Sequence, residues 1–257
     1  MKKLAVVMTG LLVALAATPA SSQDKPAPLG EMAFASDSLT VPVMINSAGL
    51  AGATFATYAA IMNPTSKSFP VQVTLFDAVG ARTQRTITLA AGELKSYQNF
   101  LDTVFAYSGA GTVRFQSGAE VGGSTDNLFI LSAEIYTTAS GVRYGTSLPT
   151  LEFPGTDSRS FSVGVTVDAN NRANVGCFNE SGKANTVTAT ILDSAGAQVT
   201  AVSIPLLPNA WGQRAVNAAV SNGYVRFDPS GPASCYAVVA NNTTNDARFI
   251  AAVEFTP

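Results

Sequence analysis

The chain has 257 residues, 47% apolar and 12% charged, with a formal net charge of −2 and no histidine. That length suits two domains of about 100 residues each; charge at about half the usual share of roughly 25%, beside ordinary Gly and Pro contents, excludes charge-driven disorder and collagen-like repetition. The missing histidine excludes Ser-His-Asp and Cys-His catalysis, imidazole-bound zinc and imidazole pH switches.

At the start of the chain, Met1-Lys2-Lys3 precedes the apolar run Leu4 to Ala17, with small residues at Ala16, Ala20 and Ser22. A basic n-region, an apolar h-region and small residues at the cleavage point describe a signal peptide over 1–22. The run is shorter than the roughly 20 apolar residues a membrane helix needs. No cysteine follows it to carry a lipid, so the mature protein is expected to be secreted or periplasmic, with no membrane span. Removing Lys2 and Lys3 makes the remainder more acidic. No Lys/Arg cluster offers a nucleic-acid stripe. Residues 23–38, rich in Ala, Pro and Ser, read as a flexible leader.

From residue 39 onward the chain repeats itself. Leu75-Phe-Asp-Ala-Val-Gly-Ala81 answers Ile191-Leu-Asp-Ser-Ala-Gly-Ala197, and Ala60-Ile-Met-Asn63 answers Gly176-Cys-Phe-Asn179. Gly111-Thr-Val-Arg-Phe115 matches Gly223-Tyr-Val-Arg-Phe227, and Tyr136-Thr-Thr138 with Arg143-Tyr144 matches Asn242-Thr-Thr244 with Arg248-Phe249. Blocks in one order at similar spacing indicate two copies, 39–148 and 159–257, joined by a linker over 149–158.

Each copy has the period of strands. Val71, Val73 and Leu75 alternate with Gln72 and Thr74, and Val187, Ala189 and Ile191 alternate with Thr188 and Thr190, the pattern of half-buried antiparallel strands. Between such runs lie Asp77-Ala-Val-Gly80 and Asp193-Ser-Ala-Gly196. Asp77 and Asp193 open turns, and Gly80 and Gly196 supply positive φ. One helix is expected, Phe100 to Tyr107, capped by Asn99 and ended near Gly109, with a single turn at 217–222 in the second copy. Seven or so short strands per copy predict an all-β fold of two tandem immunoglobulin-like β-sandwich domains arising from an internal duplication.

Cys177 and Cys235 belong to the second copy, at the places of Ile61 and Phe129 in the first. Both replaced residues are large and apolar, so a buried structural disulfide is expected, of the kind that ties the two sheets of a sandwich. No CxxC spacing or basic neighbour suggests a redox pair.

Chemistry is scarce. Glu93, Asp102, Asp126 and Glu134 pair at no recognisable spacing. The run Gly118 to Asn127 lacks the alternating ligands of a calcium loop, although Glu120 and Asp126 lie in it. Phosphate-loop, dinucleotide and nucleophile-elbow motifs are absent from the sequence. Arg114 and Arg226 occupy matching outward places, either beside a carboxylate or on a repeated contact surface. Tyr58, Tyr97, Tyr107, Tyr144 and Trp211 are candidates for a sugar-stacking platform or for core, Trp211 matching Leu94. Asn241-Asn-Thr-Thr244 contains glycosylation sequons.

The segments Phe55 to Pro64 with Val71 to Leu75, and Arg172-Ala-Asn-Val-Gly-Cys-Phe-Asn179, resemble tandem immunoglobulin-like repeats of secreted bacterial proteins; Asn241 to Phe249 is similar to their closing strands. The resemblance implies fold and export, with no catalytic residue, cofactor or metal to carry over. The expectation is a non-enzymatic exported protein for binding, adhesion or cell-surface assembly, with a protein or glycan partner. The alternatives are a carbohydrate-binding accessory module and a two-domain periplasmic chaperone.

Overall fold

Alternating apolar and threonine side chains become strand almost throughout. The computed structural model describes residues 35–49, 52–117, 127–139, 142–151 and 155–255. In chain order they form β1 (Ser38–Ala48), β2 (Thr54–Met62), β3 (Phe69–Phe76), β4 (Arg82–Leu89), β5 (Leu94–Tyr97), α1 (Phe100–Phe105), β6 (Gly109–Ser117), β7 (Ile130–Ala139) and β8 (Val142–Leu148). The second half contributes β9 (Ser160–Val167), β10 (Asn171–Asn179), β11 (Asn185–Leu192), β12 (Gln198–Leu206), β13 (Trp211–Val216), β14 (Val220–Pro229), β15 (Ala233–Asn241), β16 (Ala247–Ala251) and β17 (Val253–Glu254). The expected signal peptide, most of the leader and the Glu120–Asp126 loop fall outside the described residues. No described helix is long and apolar enough to cross a membrane.

All named strand pairs are antiparallel. The first half contains the strand orders β4-β3-β6-β1 and β5-β2-β7-β8, made continuous because β1 leaves β6 and pairs with β2 at Ser47 and Ala48. The second half contains β12-β11-β14-β9, extended by β17, and a separate sheet β13-β10-β15-β16. The two halves share the orders β4-β3-β6-β1 with β12-β11-β14-β9 and β5-β2-β7-β8 with β13-β10-β15-β16, and differ in the β1–β2 and β9–β17 pairings.

Each half encloses its own core. Leu39, Val71, Val73, Phe100, Phe115 and Leu131 lie in the first, and Val175, Val187, Ile191, Val225 and Phe227 in the second. The first core also takes in Tyr236 from the second half, with Trp211, Val238 and Phe249 packed against it. From Ala33 onward the chain is accordingly a single compact unit. The expected linker is woven into both halves: Leu151 exchanges backbone hydrogen bonds with Thr40, and Thr156 pairs with Ala233.

The Asn99 side chain caps α1 by accepting from the Asp102 N–H, and Leu101 and Phe105 are buried as their spacing requires. The helix stops two residues earlier than expected, at Ala106 in the left-handed conformation rather than at Gly109. In the second half no helical turn forms at 217–222; the chain bends at Ala218, β14 begins at Val220, and its pairing with β9 shifts register between Val220 and Gly223, where Asn222 has φ 49°.

The disulfide joins Cys177 and Cys235, buried in the second core, with Cα atoms 4.1 Å apart. It does not tie two sheets, as the sequence spacing suggested. The cysteines are direct cross-strand partners on β10 and β15 in one sheet. Ile61 pairs with Leu131 in the same manner, so Leu131, not Phe129, is the counterpart of Cys235. Phe129 instead pairs with Ser36, two residues earlier along the chain.

Candidate binding surface

On β9 the usual polarity of a half-buried strand is reversed. Ser160 and Ser162 point inward and are buried, while Phe161 and Val163 face out, Val163 with 66% of its surface exposed. In an antiparallel pair, opposite residues share a face. Tyr224 pairs with Val163, and Arg226 and Val253 flank Phe161, so these side chains form one outward face across β14, β9 and β17. Val253 is 71% exposed and Phe255 56%. Phe255 packs edge-on to Phe161, ring centroids 6.2 Å apart. Ser162 satisfies its buried hydroxyl by donating to the Ile250 carbonyl (3.0 Å).

The apolar centre has a charged rim. Asp228 accepts from Arg159 Nε (2.7 Å) and Arg226 Nε (2.8 Å). Partial burial pushes this carboxyl upward, but the two guanidinium hydrogen bonds and charges outweigh it and hold Asp228 below the usual carboxylate range. An apolar middle with paired charges around it is the composition of a protein contact surface.

The first half shows what can cover such a face. Its strand order puts Thr40 beside Arg114 and Phe76 beside Thr112, where the second half has Phe161 beside Arg226 and Leu192 beside Tyr224. Over this first-half face lies the outer side of β13-β10-β15-β16. Phe178 meets Phe76 at 5.2 Å between ring centroids, and Arg114 Nη2 donates to Glu180 Oε2 at 2.5 Å. The Trp211 N–H donates to the Asp77 carbonyl (3.1 Å). On the docking side, Trp211 Nε1–H donates to the Tyr236 hydroxyl (2.9 Å), and Tyr236 stacks on Phe249 at 4.7 Å. Gly176 lets the Tyr236 ring lie flat: a Cβ there would sit 2.4 Å from the ring.

Glu180 is the polar centre of this junction. It accepts from Arg114, from the Ser234 hydroxyl (2.9 Å) and from the Gly155 backbone. Burial pushes its carboxyl above the usual range despite the Arg114 charge. Arg114 and Arg226, matched by sequence, thus both meet carboxylates, one across the junction and one on its own strand.

The remaining candidates are dispersed. Asp77 Oδ1 accepts from the N–H groups of Val79 and Ala81, and Asp193 Oδ1 from those of Ala195 and Ala197, each at 2.9 Å. Gly80 and Gly196 close these turns at φ 79° and 84°. Glu93 accepts from the Ala90 N–H, Asp102 lies in the first turn of α1, and Glu134 pairs with Arg143. Arg143 also lies over Tyr136, 3.7 Å from its centroid, and Tyr58, at 5.6 Å. Tyr97, Tyr107 and Trp211 pack against the first core. Phe161 is inclined by 47° to Tyr224 and 88° to Phe255, so these rings do not form a flat sugar-stacking platform. Asn241 Oδ1 accepts from the Thr243 and Thr244 N–H groups in a turn. A polar cleft of about 400 Å³ beside it is lined by Thr166, Asn171, Asp246 and Arg248 among others. Among the described residues no three Cys, Asp or Glu side chains gather to hold a metal.

Sequence reasoning missed Glu180, one residue after a recognised block, and the inverted Ser-Phe-Ser-Val run of β9, which was legible as period two with the wrong face apolar. It also assigned no role to Asn63 and Asn179. Both are fully buried; Asn63 donates to the Lys67 and Ala90 carbonyls, and Asn179 to those of Lys183 and Leu207. No protein-family model matches the chain, and no curated protein is significantly similar to it.

Proposed function

We propose that the chain is an exported, non-enzymatic β-sandwich protein that works through its sheet faces, in binding or cell-surface assembly. The observation that carries this reading is the outward face of Phe161, Val163, Tyr224 and Val253, apolar where a solvent-facing strand is expected to be polar. Export is supported by the signal-like composition of the first residues and by the disulfide. Shared strand orders in the two halves support an origin by duplication, and the likeness to immunoglobulin-like repeats of secreted bacterial proteins rests on the sequence blocks alone.

The test is retention from the envelope fraction of the native cells. Immobilised full exported chain is compared with a variant carrying Val163→Asp and Val253→Asp, both at exposed positions. A protein or glycan held by the first and lost from the second is the expected outcome. Equal retention by both, or by neither, refutes the reading.

A further inference from the structure

The strands at the ends of the sheets are not protected alike. Among the described residues these edge strands are β4, β5, β8, β12, β13, β16 and β17. All but β12 carry a charge, with Arg85, Lys95, Arg143, Arg214, Arg248 and Glu254 on the others in that order. Charged side chains are a common guard against edge-to-edge pairing. On β4 and β13 the guard is also a cap: Arg85 donates to the Gln84 carbonyl (2.8 Å) and Arg214 to the Gln213 carbonyl (2.9 Å). The exception, β12, is the longest of these strands, and its nine residues from Gln198 to Leu206 include no charged side chain.

The pairing shows which groups β12 leaves free. Thr186 lies opposite Pro205, and its backbone is turned away from it. The Ser230 N–H donates to the Thr186 carbonyl (3.0 Å), and the Thr186 N–H donates to the Ser230 hydroxyl (2.9 Å). Pro205 therefore has its nitrogen on the side away from β11, where a sheet tolerates proline. Backbone groups alternate sides along a strand, so the N–H and C=O of Ser203 and Ala201 also point away from β11. No described residue bonds them. In the first half Val73 and Thr74 lie opposite Arg85 and Gln84, where Ala189 and Thr190 lie opposite Val202 and Ala201. The capped carbonyl of Gln84 thus corresponds to the uncapped one of Ala201, and the capping arginine to Val202.

We infer that β12 pairs antiparallel with β12 of a second copy, about a two-fold axis at Val202, joining two five-stranded sheets edge to edge. The free groups are backbone donors and acceptors at strand spacing, and an extended chain is their complement. Of the edges this chain offers, the others carry charge, and two of them have an arginine over a carbonyl. The strand also matches itself in detail. The axis puts Ala201 opposite Ser203 on both sides, and each such pair exchanges both N–H···O bonds. Val202 meets Val202, whereas the same axis on β4 would set Arg85 against Arg85. Pro205 falls opposite Val199, the extra residue of the bulge against β11, so the missing N–H lies where the ladder ends. A contact of this isologous kind consumes the edge, and the assembly closes at a dimer. The Val163 face is centred on β9, toward the other end of the sheet, so the pairing goes beyond the binding reading above and does not rest on it.

The experiment is sedimentation of the purified full exported chain over a concentration series, with and without Ala201→Pro, beside oxidative cross-linking of Val202→Cys. Ala201→Pro removes an outward N–H and leaves the ladder with β11 intact, as Pro205 does. The wild-type chain is expected to rise reversibly from monomer to twice that mass and no further. Ala201→Pro is expected to stay monomeric while melting as wild type does at low concentration. Oxidised Val202→Cys is expected to form a covalent dimer, and Val79→Cys, 68% exposed in the first half, to remain monomeric under the same conditions. Val163→Asp is expected to leave the dimer unchanged, which separates this contact from the binding face. A wild-type chain that is monomeric throughout overturns the inference. So does a dimer indifferent to Ala201→Pro, or cross-linking of Val202→Cys no faster than that of Val79→Cys. If Ala201→Pro fails to fold, the cross-link decides alone. A monomeric chain that captures an envelope polypeptide, lost with Ala201→Pro, also overturns it, since the added strand then comes from another protein.

Discussion

At the scale of single residues, the matched turns show how one local solution acquires different consequences in its two settings. In both, an Asp side chain ties two N–H groups and a glycine takes a left-handed φ that costs an L side chain roughly 1–2 kcal/mol. Gly196 has nothing closer to an added Cβ than the Tyr224 hydroxyl at 3.5 Å. Gly80 would place its Cβ 2.3 Å from the Pro208 carbonyl oxygen, which is backbone and cannot turn aside. Gly196→Ala is therefore expected to cost about 1–2 kcal/mol, the backbone penalty alone. Gly80→Ala is expected to cost about 3 kcal/mol or more, because steric overlap at a packed contact adds to it. Chemical denaturation of the two variants checks this order; equal costs would show that the close approach to Pro208 is relaxed in solution.

At the scale of elements, the disulfide joins neighbours that hydrogen bonding already aligns. Its stabilising effect is therefore on the unfolded chain, where it closes a loop between residues 58 positions apart. The chain-entropy account gives about 4 kcal/mol for such a loop, and measured effects are commonly about 2–4 kcal/mol. Replacing both cysteines by alanine is expected to destabilise the protein by that amount. Native-state hydrogen exchange should show the loss in β10 and β15 before β2 and β7, which have Ile61 opposite Leu131 instead of a bond. Uniform loss of protection across both halves would show that they unfold only together. The helix α1 fills a place in the first half that the second leaves as a bend. Phe100, fully buried and 5.3 Å from the Phe115 ring centroid, anchors it there.

At the scale of the whole molecule, Glu180 makes the junction pH-sensitive with a definite sign. Because burial raises its carboxyl above the ordinary range, the native state holds this proton more tightly than the unfolded chain. Stability from this group therefore falls as pH rises through the ordinary glutamate value and the raised native one, then levels off. Asp228 acts oppositely: its stabilisation is present above the ordinary carboxylate range and is lost as pH falls through its lowered native value. Melting temperatures from about pH 3 to pH 8 should show a flatter alkaline limb in Glu180→Gln than in wild type. At neutral pH that variant is expected to lose about 1–2 kcal/mol, less than the roughly 3–5 of a fully buried broken pair, since Arg114 retains some contact with water. Identical pH profiles would show that Glu180 titrates as an exposed carboxylate.

Local pattern alone determined the strands, the two aspartate turns, the capped start of α1 and the inward cysteines. Period-two alternation, an Asp three residues before a Gly, and an Asn before an apolar turn each act within a few residues of chain. The same reading placed Cys235 opposite the wrong counterpart by two residues. A shift of two leaves a side chain on the same face, so the alternation does not register it. Only the tertiary structure decided that the disulfide lies within one sheet, that the linker is woven into both halves, and that the first core admits Tyr236. Those outcomes depend on which sheet faces meet, and a strand's own sequence records that a face is apolar, not what covers it. Phe178 and Met62 occupy corresponding strand positions; packing buries one and leaves the other at the surface.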